Sequence, residues 1–276
     1  ILDKIGEIVV KAGHKLVKKK ADESLRGRCD SFVLETDVHY PTDINLLFDA
    51  IRKVITLVAG LSADLGLTLW KQNGHNIRKV KKLFNIARML FRSKSQDPKK
   101  IREREAALIE AHQAYLEVVT GYLDKANRTI QGLRGKDIIT DIKIVEIENF
   151  ISHANRQIDQ IERRVIKDET IPHDEKVFSI FEEYTEWISK GKAGVPVEFG
   201  LKICVLEDQH GFILHQHVME KQTDDQITVY MVQEAKKKFP ALSLCSFDRG
   251  FHSPDNQNKL KLLLEKVVLP KKGKAL

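Results

Sequence analysis

The rhythm of hydrophobic positions changes along the chain, and each change predicts a different kind of element. Ile5, Ile8, Val9, Ala12, Leu16 and Val17 recur at helical spacing. From about Arg28 to Val38 the chain turns β-branched and aromatic through Phe32, Val33 and Leu34, closed by Tyr40-Pro41-Thr42-Asp43. That run predicts a buried strand ending at a turn, with Asp43 as an Asx turn after the proline. From about Asp43 to Lys167 the spacing is helical again, in four stripes beginning at Ile44, Ile77, Leu108 and Ile147. Ser93 to Pro98 separates the second stripe from the third, and Gly132 with Gly135 the third from the fourth. Their polar sides are rich in Arg78, Lys79, Lys81, Lys82, Arg88 and Arg92; a solvated face is a plainer reading of such charges than a DNA contact.

Beyond Pro172 the period becomes two. Val177 to Ile188 contains alternating and aromatic residues, and Lys190-Gly191-Lys192-Ala193-Gly194 reads as a loop. Phe199, Leu201, Ile203 and Val205 alternate with smaller or polar residues, Asp208-Gln209-His210-Gly211 makes a turn, and Phe212 to Val218 returns as the second arm of a hairpin. Thr223-Asp224-Asp225-Gln226 is a capping box opening a helix that stops at Pro240. Leu242 to Phe247 is a short buried strand with Asp248 at its end, Ser253-Pro254 starts another helix, and Val267 to Leu269 reads as one more strand. The whole is an α/β pattern interrupted by a long helical block.

With 276 residues, 42% of them hydrophobic, the chain can bury a full core, and two domains are within reach. No apolar run approaches the roughly 18–20 residues that a membrane span needs. A net charge of +7 favours an anionic partner such as nucleic acid without requiring one. Cys29, Cys204 and Cys245 are odd in number and lack paired spacing, which fits a reducing cytoplasm rather than a disulfide or zinc framework. Ile1 to Ile5 and Pro270 to Lys274 both read as edges of a fragment.

Asp30 and Asp248 stand out because each interrupts or ends an apolar strand, where an unpaired carboxylate costs several kcal/mol. One reading makes them oxygen ligands for a hard divalent cation. The other makes each a turn cap or a salt-bridged edge residue, and spacing alone favours it; Glu35, Asp37 and Asp43 are nearby competitors. His215 and His217 share a strand face but lack a third zinc ligand, and Trp70 and Trp187 read as packing residues rather than base-stacking ones. No Walker loop, dinucleotide fingerprint or serine-hydrolase elbow is present.

Three blocks together resemble one family. Arg28 to Thr36, continuing to His39-Tyr40-Pro41-Thr42-Asp43, is similar to the first-aspartate block of the DDE transposases of insertion sequences. Phe178 to Glu182, Thr185 to Ile188 and Lys190 to Gly194 resemble the middle block, and Phe247-Asp248-Arg249-Gly250-Phe251 the second-aspartate block. The resemblance implies an α/β fold: an RNase H-like mixed sheet with a long all-helical insertion after the first strand. The expected parts are an N-terminal helix and first strand (1–42), the helical insertion (43–170) and the remainder of the core (171–276), truncated before the helix that carries the third acid, a Glu. It also implies cleavage and strand transfer of double-stranded DNA, transposon ends and target alike, with Mg2+ or Mn2+ held by Asp30 and Asp248, and a homodimer as the expected assembly. Lys190, Lys192 and Arg249 are then the leading phosphate contacts, with Lys271 and Lys272 in a second basic run; exposed loop or tail positions remain the equal alternative for each. Without the third acid, an inactive DNA-binding or oligomerising remnant is the rival expectation. A helical scaffold with an unrelated β domain is a third, and it would place Asp30 and Asp248 far apart.

Overall fold

The structure, a computed structural model, describes residues 2–90, 97–189, 194, 196–271 and 273. It is mixed α/β, with seven helices and one mixed sheet of six strands among those residues. The chain divides into two compact units, one made of residues 1–37 with 184–276 and the other of residues 38–183.

The first unit carries α1 (Leu2–Leu16), β1 (Leu25–Glu35), β2 (Glu186–Ser189), β3 (Val197–Glu207), β4 (Ile213–Val218), α6 (Asp224–Lys238), β5 (Leu242–Phe247), α7 (Pro254–Leu263) and β6 (Lys266–Val268). The strands run in the order β2-β3-β1-β5-β6, with β4 also paired to β3. β1 is antiparallel to β3 and parallel to β5, and β5 is parallel to β6. Antiparallel neighbours need only turns, whereas the parallel pairs need crossovers, which α6 and α7 supply between β4 and β5 and between β5 and β6. Leu25, Gly27 and Cys29 of β1 are buried, while Arg26 and Arg28 between them are exposed. The buried set packs with Leu206, Met231, Val232, Leu242 and Phe247.

Turn chemistry behaves as the sequence predicts. Asp208 Oδ1 accepts the His210 and Phe212 amides at 2.8 and 3.0 Å, and Gly211 takes φ +80°. Thr223 and Gln226 form the capping box of α6, and Ser253 accepts the Asn256 amide at the start of α7. Elsewhere the structure corrects expectation. Most of the segment from Val177 to Ile188 is not a strand; regular pairing begins only at Glu186, and Ile180 is buried in the helical unit. α1 packs through Val10 and Gly13, leaving Ile5, Ile8, Val9 and Leu16 exposed.

The second unit holds α2 (Asp43–Asp64), α3 (Asn73–Leu90), α4 (Pro98–Leu133) and α5 (Ile138–Ile161), with α2 packed against the other three. Leu47, Ile51, Val54 and Ile55 of α2 meet Ile144, Ile147 and Ala154 of α5 in one core, each such side chain stabilising by about 1.5–3 kcal/mol. Trp70 lies in this core, its Nε1 donating to Thr129 Oγ1 at 3.1 Å under the Lys125 ammonium. Asp43 is no Asx turn: Thr42 caps α2, and Asp43 is a buried first-turn residue paired with Arg164 at 2.8 Å. No helix among the described residues is long and apolar enough to cross a membrane.

Candidate functional site

Register between β1 and β5 determines what lies at their carboxyl ends. Cys29 pairs with Phe247 in parallel, so the next residue on each strand is an aspartate, Asp30 on one and Asp248 on the other. Neighbouring strands are roughly 5 Å apart, which puts these two residues side by side although they are remote in sequence. Cys29 and Phe247 both turn into the core, and side chains alternate along a strand, so Asp30 leaves β1 on the opposite face.

Asp30 differs from expectation in one respect. Its side chain is 51% exposed, so no desolvation penalty forces a cation on it. Its Oδ1 accepts the Ser31 amide at 2.8 Å, and Arg28 lies 3.5 Å from its Oδ2. Asp248 is also exposed and caps the short turn Arg249–Phe251, its Oδ1 accepting the Arg249 amide at 2.6 Å.

That turn is anchored from behind. Phe251 is buried, 5.7 Å from the Phe247 ring, and its carbonyl accepts both Thr228 Oγ1 at 3.1 Å and Asn256 Nδ2 at 3.0 Å. Asn256 reaches on to the Asp225 carbonyl at 2.7 Å. A Cβ on Gly250 would stand 2.7 Å from Asp224 Oδ2, and Asp224 is itself paired with Lys202 of β3 at 2.8 Å. The first turns of α6 and α7 thus hold the position from which Asp248 projects. Sequence reasoning missed Thr228, Asn256, Asp224 and Lys202 as supports; only the capping signals at Thr223 and Ser253 hinted that two helix starts converge there.

Of the other expected site residues, Arg249 is exposed next to Asp248, and Lys271 is exposed after β6. Lys190, Lys192 and Lys272 lie outside the described residues. Among the described residues no group of three or more His, Cys, Asp or Glu side chains converges to hold a metal ion. The two aspartates alone still suit a hard cation, because Mg2+ commonly takes one or two carboxylates and fills its octahedron with water and phosphate oxygens.

Directly under Asp30 the three cysteines gather in the core. Cys29 and Cys204 place their Sγ atoms 3.4 Å apart, and Cys245 is buried nearby. The hydrogen bond to Cys204, then burial, pushes the Cys29 thiol far up; burial pushes Cys245 up to about 12. The raised Cys29 and Cys245 thiols are packing groups, not nucleophiles. His215 is buried beside Tyr230, and burial, with Lys238 nearby, holds it below the usual histidine value. Trp187 packs edge-on to Phe199 at 5.3 Å. No protein-family model, curated protein or solved structure matches the chain.

Proposed function

We propose that this chain is the catalytic region of a DDE-type DNA transposase, an RNase H-like core cutting phosphodiester bonds with Asp30 and Asp248 as ligands for Mg2+ or Mn2+. The observation that carries the reading is the parallel register of Cys29 with Phe247, which sets the two aspartates on adjacent strand ends. It counts against an unrelated β domain, which requires no such meeting. The sheet supports the RNase H-like reading further: an antiparallel β1-β3-β4 series on one side of β1 and the parallel β5 and β6 on the other. Between β1 and β2 the whole helical unit intervenes, as an insertion after the first strand requires. The sequence blocks around Asp30 and Asp248 point the same way.

Divalent ions held there would supply Lewis-acid activation of an attacking water or 3′-hydroxyl and charge stabilisation at the leaving oxygen. The protein's own part is positioning. Thr228 and Asn256 hold the turn behind Asp248, and the Ser31 amide fixes one oxygen of Asp30. The exposed Arg249 guanidinium can meet a phosphate beside them.

The test measures Mn2+ binding by titration calorimetry and nicking of supercoiled plasmid for the native chain, Asp30→Ala and Asp248→Ala. Each substitution is expected to weaken Mn2+ binding about tenfold or more; unaltered Mn2+ affinity in both variants overturns the assignment. A second reading, a DNA-binding remnant that does not cut, draws on the lack of a third converging acid among the described residues. It predicts duplex binding with no Mn2+-dependent nicking.

A further inference from the structure

We infer that the outer face of α3 is a docking surface for the backbone of duplex DNA, carried by the helical unit independently of the Asp30–Asp248 pair. The first observation is charge segregation. No Asp or Glu occurs between Asp64 and Asp97, whereas the chain as a whole has 39 acids in 276 residues, so four or five would be expected in such a stretch. Within α3 itself stand Arg78, Lys79, Lys81, Lys82 and Arg88. The other helices of the unit mix their signs: α4 carries Glu103, Glu105, Glu110, Glu117 and Asp124 among its bases, and α5 carries Asp141, Glu146, Glu148 and Asp159.

Pairing is the second observation. Solvated helix faces elsewhere in this protein are laced by close pairs such as Lys11 with Glu7, Lys259 with Asp255 and Arg163 with Asp159. Arg78, Lys79, Lys81 and Lys82 are exposed, and none forms an ion pair among the described residues. Like charges three and four residues apart, as in Arg78 with Lys81 and Lys82, repel and weaken the helix. An ordinary solvated face would relieve that repulsion with acids; this one keeps it, which fits a face neutralised from outside.

Geometry selects the partner. Val80, Phe84 and Ala87 are buried, and at about 100° per residue His75, Arg78 and Lys82 point directly away from them. Lys79 and Lys81 splay roughly 80° to either side of that line. A B-form major groove admits a helix and presents phosphates on both flanks, whereas the A-form groove of duplex RNA is too narrow. Large exposed apolar residues appear only in the last turns, at Ile86 and Met89, so the basic part has nothing to insert into a lipid surface.

The experiment measures binding of the full chain to a random-sequence 30-base-pair DNA duplex by fluorescence anisotropy across a salt series. Replacing Arg78, Lys79, Lys81 and Lys82 together by Gln should weaken binding about tenfold or more and lower the slope of log affinity against log salt by about 3 to 4, near 0.9 for each lost phosphate contact. A control with Gln at Lys11, Lys237, Lys259 and Lys261 should change both far less. A charge-keeping variant, Arg78→Lys with Lys79→Arg, Lys81→Arg and Lys82→Arg, should bind like the native chain, which separates charge from folding. The anisotropy is measured in EDTA, so no divalent ion joins DNA to Asp30 and Asp248, and loss of the catalytic reading would not carry the surface with it. An unchanged slope in the fourfold Gln variant overturns the inference. So does tighter binding to an RNA duplex, or an effect of the variant confined to phosphatidylserine vesicles.

Discussion

Gly200 lies where β3 passes β1 so closely that a methyl group would stand 2.1 Å from the Leu34 carbonyl oxygen. The obstruction is backbone, which cannot swing aside as a side-chain tip can. Gly200→Ala should therefore force the two strands apart and destabilise the fold by about 1–3 kcal/mol, read from urea unfolding. Asn256→Ala removes two hydrogen bonds, to the Asp225 and Phe251 carbonyls, and should cost about 1–3 kcal/mol in the same assay. Acid sensitivity is set by single residues too. Burial holds His112 and His215 below the ordinary histidine value of 6.5. The unfolded chain takes up protons near that pH that the folded chain refuses, so their stabilising effect is full above it and declines as the pH falls towards the lowered folded values. His39 has the opposite sign: burial alone would lower it, but the hydrogen bond it donates to the Asp49 carboxylate raises it, so its contribution is lost as the pH rises. Replacing His112 and His215 by Gln should flatten the fall in melting temperature between about pH 7 and pH 5; an unchanged fall would assign the acid sensitivity elsewhere.

For whole elements, the readable features were those written in local chemistry. The apolar stripes of α2 to α5, the capping box at Thr223, the Ser253-Pro254 start and the Asp208 turn all involve residues within about four positions of one another. Thr223→Ala should accordingly cost about 1 kcal/mol, measurable by thermal melting. Harder to read was the segment from Val177 to Glu183, whose aromatic alternation suggests a strand. Ile180 instead serves the helical core, because tertiary packing decides where a short apolar run goes. The candidate site was half legible. Asp30 and Asp248 are visible as acids at strand positions, but the register that sets them side by side is a long-range fact, and so are the bonds from Thr228 and Asn256 to the Phe251 carbonyl. The burial expected around Asp30 was inferred from its apolar neighbours Phe32 and Leu34, yet these are themselves largely exposed.

Taken whole, the described residues form two hydrophobic cores, one in each unit. Ile147→Ala, deep in the helical core, should cost about 2–5 kcal/mol and shift only the unfolding transition of that unit in a calorimetric scan. A single transition moving as one would show the cores to be coupled. The interruption between β1 and β2 also bears on how the chain reaches its native state. During synthesis β1 emerges before the helical unit but cannot meet β3 until α2 to α5 have left the ribosome. Contacts so distant in sequence form slowly, so refolding should regain helical ellipticity before β1 is in place. Brief pulses of iodoacetamide during refolding would time that last event, since Cys29, Cys204 and Cys245 escape alkylation only once the strand has closed over them.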